Sequence, residues 1–167
     1  MNGAPVSRLD SFIRRLEAQR ACLERAVALV DDLAGPVLEL GLGNGRTYDH
    51  LRQLCPTREI FVFDRQVAAH PDCIPDPAHL LLGDIRETLP QAVARFGRSI
   101  AMVHSDMGTG DAVTNARIAS FVSGLLPGLI LPGGVVISDQ PLPLEGAEPL
   151  ELPEGVRPGR YFICRMG

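Results

Sequence analysis

The sequence predicts an α/β fold with a doubly wound, mostly parallel sheet, an extra N-terminal helix and a C-terminal antiparallel hairpin. Three observations lead to this prediction. Short apolar runs alternate with helix-patterned stretches between residues 37 and 139. A glycine-rich turn follows the first of these runs. The strand–helix–strand spacing implies right-handed crossovers, which place the strands parallel.

The composition excludes several classes of protein. The chain has 167 residues, of which 46% are hydrophobic, and a net charge of −4. Its basic residues are all arginines and are dispersed, so we expect no nucleic-acid partner. No apolar run approaches the roughly 20 residues of a membrane helix, and we expect no membrane association and a cytoplasmic location. Four widely spaced cysteines without a CxxC pair predict reduced thiols rather than a zinc site.

A long helix is predicted for residues 7–34. Ser7 can cap its first turn, with Asp10 three positions on, and apolar residues recur along it near the helical period. Gly35 and Pro36 end it. We expect its apolar stripe to pack across the outside of the core or against another subunit. Together with an exposed sheet edge, this favours a homo-oligomer.

The three predicted segments, 1–35, 36–139 and 140–167, form one domain. The cofactor-binding core is predicted to hold strands at 37–40, 59–64, 79–84, 99–106 and 133–139, with helices at 46–54, 86–96 and 111–126. In the last segment, LEL (150–152) and RYFICR (160–165) read as two strands joined by the turn PEGVRPG.

The sequence VLELGLGNGRT shows what the turn after the first strand can bind. Gly41, Gly43 and Gly45 let a ligand approach the backbone closely. The third glycine of the dinucleotide fingerprint GxGxxG is replaced by Arg46. Glu39, two residues before the first glycine, would repel a pyrophosphate but would suit a ligand with a cationic end.

ELGLGNGRT resembles motif I of the class I S-adenosylmethionine-dependent methyltransferases, an acid followed by GxGxG. The resemblance continues in order with IFVFD ending at Asp64, GDI at 83–85, HSDMG at 104–108 and SDQPL after the fifth strand. The whole pattern, over about 36–139, is similar to a small bacterial family of unknown substrate. It implies a Rossmann-like fold, the cofactor S-adenosylmethionine and in-line methyl transfer to a small-molecule acceptor. The sequence [DN]PP[YFW] of enzymes that methylate nucleic-acid amines is absent.

The resemblance also implies which residues bind the cofactor. In the family the acid that ends the second strand, here Asp64, binds the ribose hydroxyls. The expected cofactor-binding residues are Glu39, Gly41, Gly43, Gly45, Arg46, Thr47, Asp64, Arg65, Gly83, Asp84, Ile85, Ser105 and Asp106. No inserted substrate domain is present, so the acceptor pocket must come from the N-terminal helix, the loops at 106–112 and 139–147, or a neighbouring subunit.

Several of these residues have simpler interpretations that stay open. Glu39 can be a strand carboxylate paired with an arginine. Asp64 and Asp84 can cap following helices, and His104 can be a satisfied histidine of the core. Asp106 and Asp139 occupy positions where small metal-dependent O-methyltransferases hold magnesium, but Gln140 replaces the usual asparagine and the chain has no lysine base. We therefore expect no metal.

The fourth strand holds the candidates for the base that takes the acceptor's proton. Asp106 is the first choice and His104 the second, and strand alternation places both on the same side. Two other functions remain as alternatives. One is a non-catalytic regulatory protein that binds S-adenosylmethionine or S-adenosylhomocysteine, and the other is a nicotinamide-dependent oxidoreductase.

Overall fold

The computed structural model describes residues 6–167, so the first five residues of the predicted 1–35 segment lie outside it. In order, the elements are α1 Arg8–Leu29, β1 Val37–Leu40, α2 Arg46–Leu54, β2 Ile60–Asp64, β3 Leu80–Leu82, α3 Ile85–Phe96, β4 Ile100–Ser105, α4 Ala112–Leu125, β5 Ile130–Ser138, β6 Ala147–Pro149 and β7 Phe162–Met166. The predicted core elements are confirmed, with β5 beginning three residues earlier than expected.

The seven strands form one sheet in the order β3-β2-β1-β4-β5-β7-β6. The five strands from β1 to β5 are parallel, β7 is antiparallel to β5, and β6 is antiparallel to β7. The strand order reverses between β1 and β4. The carboxyl ends of these two strands therefore form the crevice where open α/β sheets bind ligands.

The core lies in two layers, one on each face of the sheet. Side chains of α1 and α2 cover one face, and side chains of α3 and α4 cover the other. All four residues of β1 are buried, as expected for a parallel strand covered on both sides. No helix among residues 6–167 is long and apolar enough to cross a membrane.

The N-terminal helix begins as predicted but ends early. The hydroxyl oxygen of Ser7 accepts a hydrogen bond from the Asp10 amide at 3.0 Å, which caps the first turn. The helix ends at Leu29 rather than at 34 because Asp31 and Asp32 oppose the negative end of the helix dipole. Its first turns project large exposed apolar side chains, namely Leu9, Phe12 and Ile13.

The C-terminal hairpin is antiparallel, as predicted, but the prediction of a strand at 150–152 is wrong. The edge strand is Ala147–Pro149 instead. Pro149 has no amide hydrogen to donate and is tolerated at a sheet edge. Beyond it, the amide of Leu150 still donates to the carbonyl oxygen of Ile163 at 2.9 Å, and the side chains of Leu150 and Leu152 pack against the α1 side of the core.

Candidate active site

The carboxylate of Asp64 holds the glycine turn in place. Its Oδ2 accepts hydrogen bonds from the amides of Leu42 at 2.8 Å and Gly43 at 3.1 Å. Its Oδ1 accepts from the amides of Arg65 at 2.6 Å and Gln66 at 3.3 Å. No helix begins here, so the helix-cap interpretation of Asp64 does not apply.

Two glycines of the turn have different surroundings, a close backbone contact at Gly41 and open space at Gly43. Gly41 has φ +98°, and a Cβ there would lie 2.6 Å from the carbonyl oxygen of Asp106. Gly43 has φ +52°, and a Cβ there would meet no atom within 4 Å. The turn therefore packs tightly against β4 at Gly41 and presents bare backbone to open space at Gly43.

That open space forms two cavities, one on each side of the turn. The larger, of about 300 Å³, is the β2-side cleft, and its lining includes Gly41, Gly43, Asp64, Gly83, Ile85 and Asp106. The smaller, of about 170 Å³, is called the α1-side cavity, and its lining includes Phe12, Arg15, Leu16, Gln19, Arg46, Thr47 and Asp106. Gly41, Gly43 and Asp106 line both, so the two cavities meet at the end of β4.

Glu39 lies beneath the turn and is completely buried. Its Oε1 accepts a hydrogen bond from the hydroxyl of Thr47. Its Oε2 lies 2.6 Å from Nδ1 of His104, which is also completely buried. The partner of this strand carboxylate is therefore a histidine on the neighbouring strand rather than an arginine.

The hydrogen-bonded network continues from His104 to Tyr161, before β7, and on to Gln19, in α1. Nε2 of His104 lies 2.5 Å from the hydroxyl oxygen of Tyr161. Nε2 of Gln19 donates to that oxygen at 3.1 Å and to Oδ2 of Asp106 at 2.8 Å. Arg15 lies 3.4 Å from the other oxygen of Asp106. His104 is thus a satisfied core histidine, while Asp106 reaches both cavities.

The environment of this hydrogen-bonded network shifts the pKa of several of its groups and of Asp139. Burial acts to lower the pKa of His104, but the negative charge of Glu39 and its hydrogen bond raise it, and the net direction is upward. Burial, with a smaller contribution from the charge of Asp106, raises the pKa of Tyr161. Burial and the charge of Asp106 also raise the pKa of Asp139. Tyr161 is therefore held as a neutral phenol.

Several of the remaining predicted residues lie around the β2-side cleft. Gly83 and Ile85 line it, as does Arg65. Asp84 caps α3 by accepting from the Arg86 amide at 2.9 Å and pairs with Arg65 at 3.1 Å. Its cap interpretation is thus confirmed, and a direct cofactor contact stays a prediction.

Three other residues bear on the predictions for the end of the sheet. Gly45 precedes α2 with φ +84°. Ser105 and Asp139 line a smaller space behind Met107. Within residues 6–167, no group of three or more His, Cys, Asp or Glu side chains could hold a metal ion.

Sequence reasoning missed Gln19 and Tyr161. Gln19 is 7% exposed and occupies a position on the buried stripe of α1, between Ala18 and Cys22. A lone amide on an apolar helix face was the available signal, because a buried polar group requires a partner. Tyr161 precedes an apolar strand, and its sequence environment gives no comparable signal.

The comparisons with known proteins agree with this architecture. The model of a family described as S-adenosyl-L-methionine methyltransferase matches residues 6–166. A crystal structure of an S-adenosyl-L-methionine methyl transferase from Silicibacter pomeroyi DSS-3 is 52% identical, with a TM-score of 0.91, over 96% of this chain and 99% of that chain. No curated protein matches the chain.

More distant solved structures share the fold alone. TrmN from Thermus thermophilus is 18% identical, with a TM-score of 0.54, over 86% of this chain and 48% of its own. MycE from the mycinamycin biosynthetic pathway, solved with Mg and SAH, is 19% identical, with a TM-score of 0.52, over 83% of this chain and 36% of its own.

Fold and site together define a Rossmann-like methyltransferase that uses S-adenosylmethionine. The chain belongs to the S-adenosyl-L-methionine methyltransferase family. The residues fit this cofactor, because the turn offers bare backbone at Gly43 where a side chain would fill the cleft. The nicotinamide alternative has no support from the family.

Proposed function

We propose that this methyltransferase transfers a methyl group in line to a small-molecule acceptor that binds beside Asp106, next to α1. The observation that carries the proposal is Asp106, whose carboxylate lies where the two cavities meet. A cofactor spanning the turn would have its nucleoside in one cavity and its amino-acid end in the other. The reacting centre would then fall beside Asp106.

The chain's own residues would bind and orient the cofactor. Asp64 would hold the ribose hydroxyls from its place beneath the turn, and Gly83 and Ile85 would border the adenine. Arg46, at the start of α2, would pair with the cofactor's carboxylate. When bound, S-adenosylmethionine supplies a sulfonium methyl group, whose bond to sulfur breaks as the acceptor's lone pair bonds to the methyl carbon.

Asp106 would take the proton that a hydroxyl or ammonium acceptor loses. Its Oδ1 has only the 3.4 Å contact with Arg15, and the side chain of this arginine is half exposed. Phe12 and Leu16 give the α1-side cavity an apolar wall. We infer an acceptor with an apolar body and one nucleophilic oxygen or nitrogen, held so that the heteroatom faces Asp106.

The net charge of −4 disfavours a phosphate backbone as partner. We further propose that the protein is cytoplasmic and forms a homo-oligomer, with the exposed apolar side chains of α1 at the contact between copies.

Methyl transfer is tested by incubating the full chain with labelled S-adenosylmethionine and a library of hydroxylated and aminated metabolites. We expect labelled product from an amphipathic acceptor in the wild type and its loss in Asp106→Asn. An acceptor class consisting of RNA, or full turnover in Asp106→Asn, would contradict the proposal.

A further inference from the structure

A buried network of hydrogen bonds links the strand beneath the glycine turn to α1 and to the C-terminal hairpin. It runs from Glu39 through His104 and Tyr161 to Gln19, and none of the four residues is more than 7% exposed. Every link is a hydrogen bond of 3.1 Å or less. Such a hydrogen-bonded network in a dry interior is rigid, because breaking one link leaves a buried polar group without its partner.

The hydrogen-bonded network fixes the orientation of the Gln19 amide. An ionised carboxylate only accepts hydrogen bonds, so Gln19 must present its Nε2 to Asp106, at 2.8 Å. The second hydrogen of the same amide goes to the hydroxyl oxygen of Tyr161, at 3.1 Å. If the amide flipped, its carbonyl oxygen would face the carboxylate, so the Tyr161 hydroxyl and Asp106 together hold it in one orientation.

We propose that Gln19 and Tyr161 are positioning residues that aim the Asp106 carboxylate at the acceptor, with His104 and Glu39 anchoring them beneath the glycine turn. The inference rests on the proposed function only in giving Asp106 the acceptor's proton. Asp64 holds the turn that binds the cofactor, whereas Gln19 and Tyr161 act on the carboxylate that faces the methyl group.

Other charged groups near Asp106 hold it less firmly. Arg15, on α1, lies 3.4 Å away and its side chain is 51% exposed. Asp139, which follows β5, is a carboxylate that repels Asp106 and accepts a hydrogen bond from the Gly108 amide at 3.1 Å. Gln19 is therefore the closest donor to Asp106 from the helix that covers the site.

The chain offers a matched pair of variants, because it has two tyrosines and both are buried. Tyr161→Phe removes only the hydroxyl oxygen that Gln19 and His104 share. Tyr48→Phe removes the corresponding hydroxyl on α2, outside the hydrogen-bonded network, and serves as the control. Gln19→Leu removes the amide and identifies its signals in the spectrum.

The first readout is the side-chain amide spectrum of Gln19 in the full-length ¹⁵N-labelled protein, with and without S-adenosylhomocysteine. We expect two well-separated, exchange-protected proton signals in the wild type and in Tyr48→Phe. In Tyr161→Phe we expect them to move towards free-amide positions and lose protection. Unchanged Gln19 signals in Tyr161→Phe would overturn the inference.

The second readout separates cofactor binding from turnover. We expect Tyr161→Phe and Gln19→Leu to keep the Kd for S-adenosylhomocysteine within about twofold while kcat falls about tenfold to a hundredfold, the scale of a misplaced catalytic group. Unchanged kcat in both variants would overturn the inference. A wild type that binds no S-adenosylhomocysteine would refute the proposed function instead, while the amide spectrum would still decide the positioning role.

Discussion

The hydroxyl oxygen of Tyr161 lies 2.5 Å from Nε2 of His104, although 57 residues separate them in the sequence. This contact joins the C-terminal hairpin to β4, which ends one residue before Asp106. The C-terminal segment thereby contributes to the site as well as to the sheet.

Gly43→Val should abolish cofactor binding. The valine would carry its branched side chain into both cavities and would adopt φ +52° only with strain. We expect the affinity for S-adenosylhomocysteine to fall at least about a hundredfold, measured by calorimetry. Gly97→Val is the control, since Gly97 has φ +55° and open space but lies at the end of α3. Equal affinity in both variants would place the cofactor elsewhere.

Asp64→Ala should weaken both the turn and the cofactor complex. The substitution removes the acceptor for four backbone amides, including those of Leu42 and Gly43. We expect a loss of about 1–3 kcal/mol in the free energy of unfolding and no measurable binding of S-adenosylhomocysteine. Urea titration and calorimetry measure the two effects, and unchanged affinity would argue against a ribose contact.

The pair of Glu39 and His104 should make stability depend on pH. The raised pKa of His104 means that the folded state binds a proton more tightly than the unfolded state. The resulting stabilisation is fully present below the ordinary pKa of histidine and is lost as pH rises through the raised value. Urea unfolding from pH 6 upward should show this decline in the wild type.

Glu39→Gln is the matched variant for the pH measurement, because it keeps the shape of Glu39 but removes the charge that raises the pKa of His104. We expect the decline in the free energy of unfolding above pH 6 to flatten in this variant. Identical pH profiles for the two proteins would show that the buried pair carries no such charge interaction.

Two of the cysteines should react slowly in the folded protein. Burial raises the pKa of the thiols of Cys22 and Cys164 to about 11, so little reactive thiolate exists at pH 8. We expect Ellman's reagent to modify them fully only in guanidinium, with peptide mass spectrometry identifying each site. Rapid labelling of Cys22 in the native protein would contradict its burial on the inner face of α1.

The exposed apolar face of α1 should be needed for oligomer formation. Leu9→Glu and Ile13→Glu place charges on this face, and sedimentation should show a lower mass for both variants than for the wild type. Val113→Glu is the control, since Val113, on α4, is an apolar residue whose exposure lies between those of Leu9 and Ile13. A monomeric wild type at micromolar concentration, or equal loss in Val113→Glu, would contradict the assignment.

Local patterns in the sequence predicted most of the fold. The cap at Ser7, the glycines after β1 and the alternation of apolar runs depend on near neighbours, so they could be read directly. The exact residues of the edge strand, β6, could not be predicted. Its register depends on where Leu150 and Leu152 are buried, which the local sequence does not determine.

The site was predicted in part. Glu39 and Asp64 were singled out by their positions beside the turn, but their partners were not. Glu39 meets a histidine 65 residues away, and Asp106 meets Gln19 at a separation of 87 residues. Such pairs follow from how β1, β4 and α1 are placed in space, and a single sequence carries no periodicity that reveals them.

The central claim is that the cofactor lies across the glycine turn, with Asp106 beside its reacting centre. A crystal structure of the full chain with S-adenosylhomocysteine tests it most directly. The account predicts the nucleoside between Asp64 and Ile85, the amino-acid end beside Arg46, and the sulfur facing Asp106. Density for the ligand outside the two cavities, or with its sulfur turned away from Asp106, would contradict it.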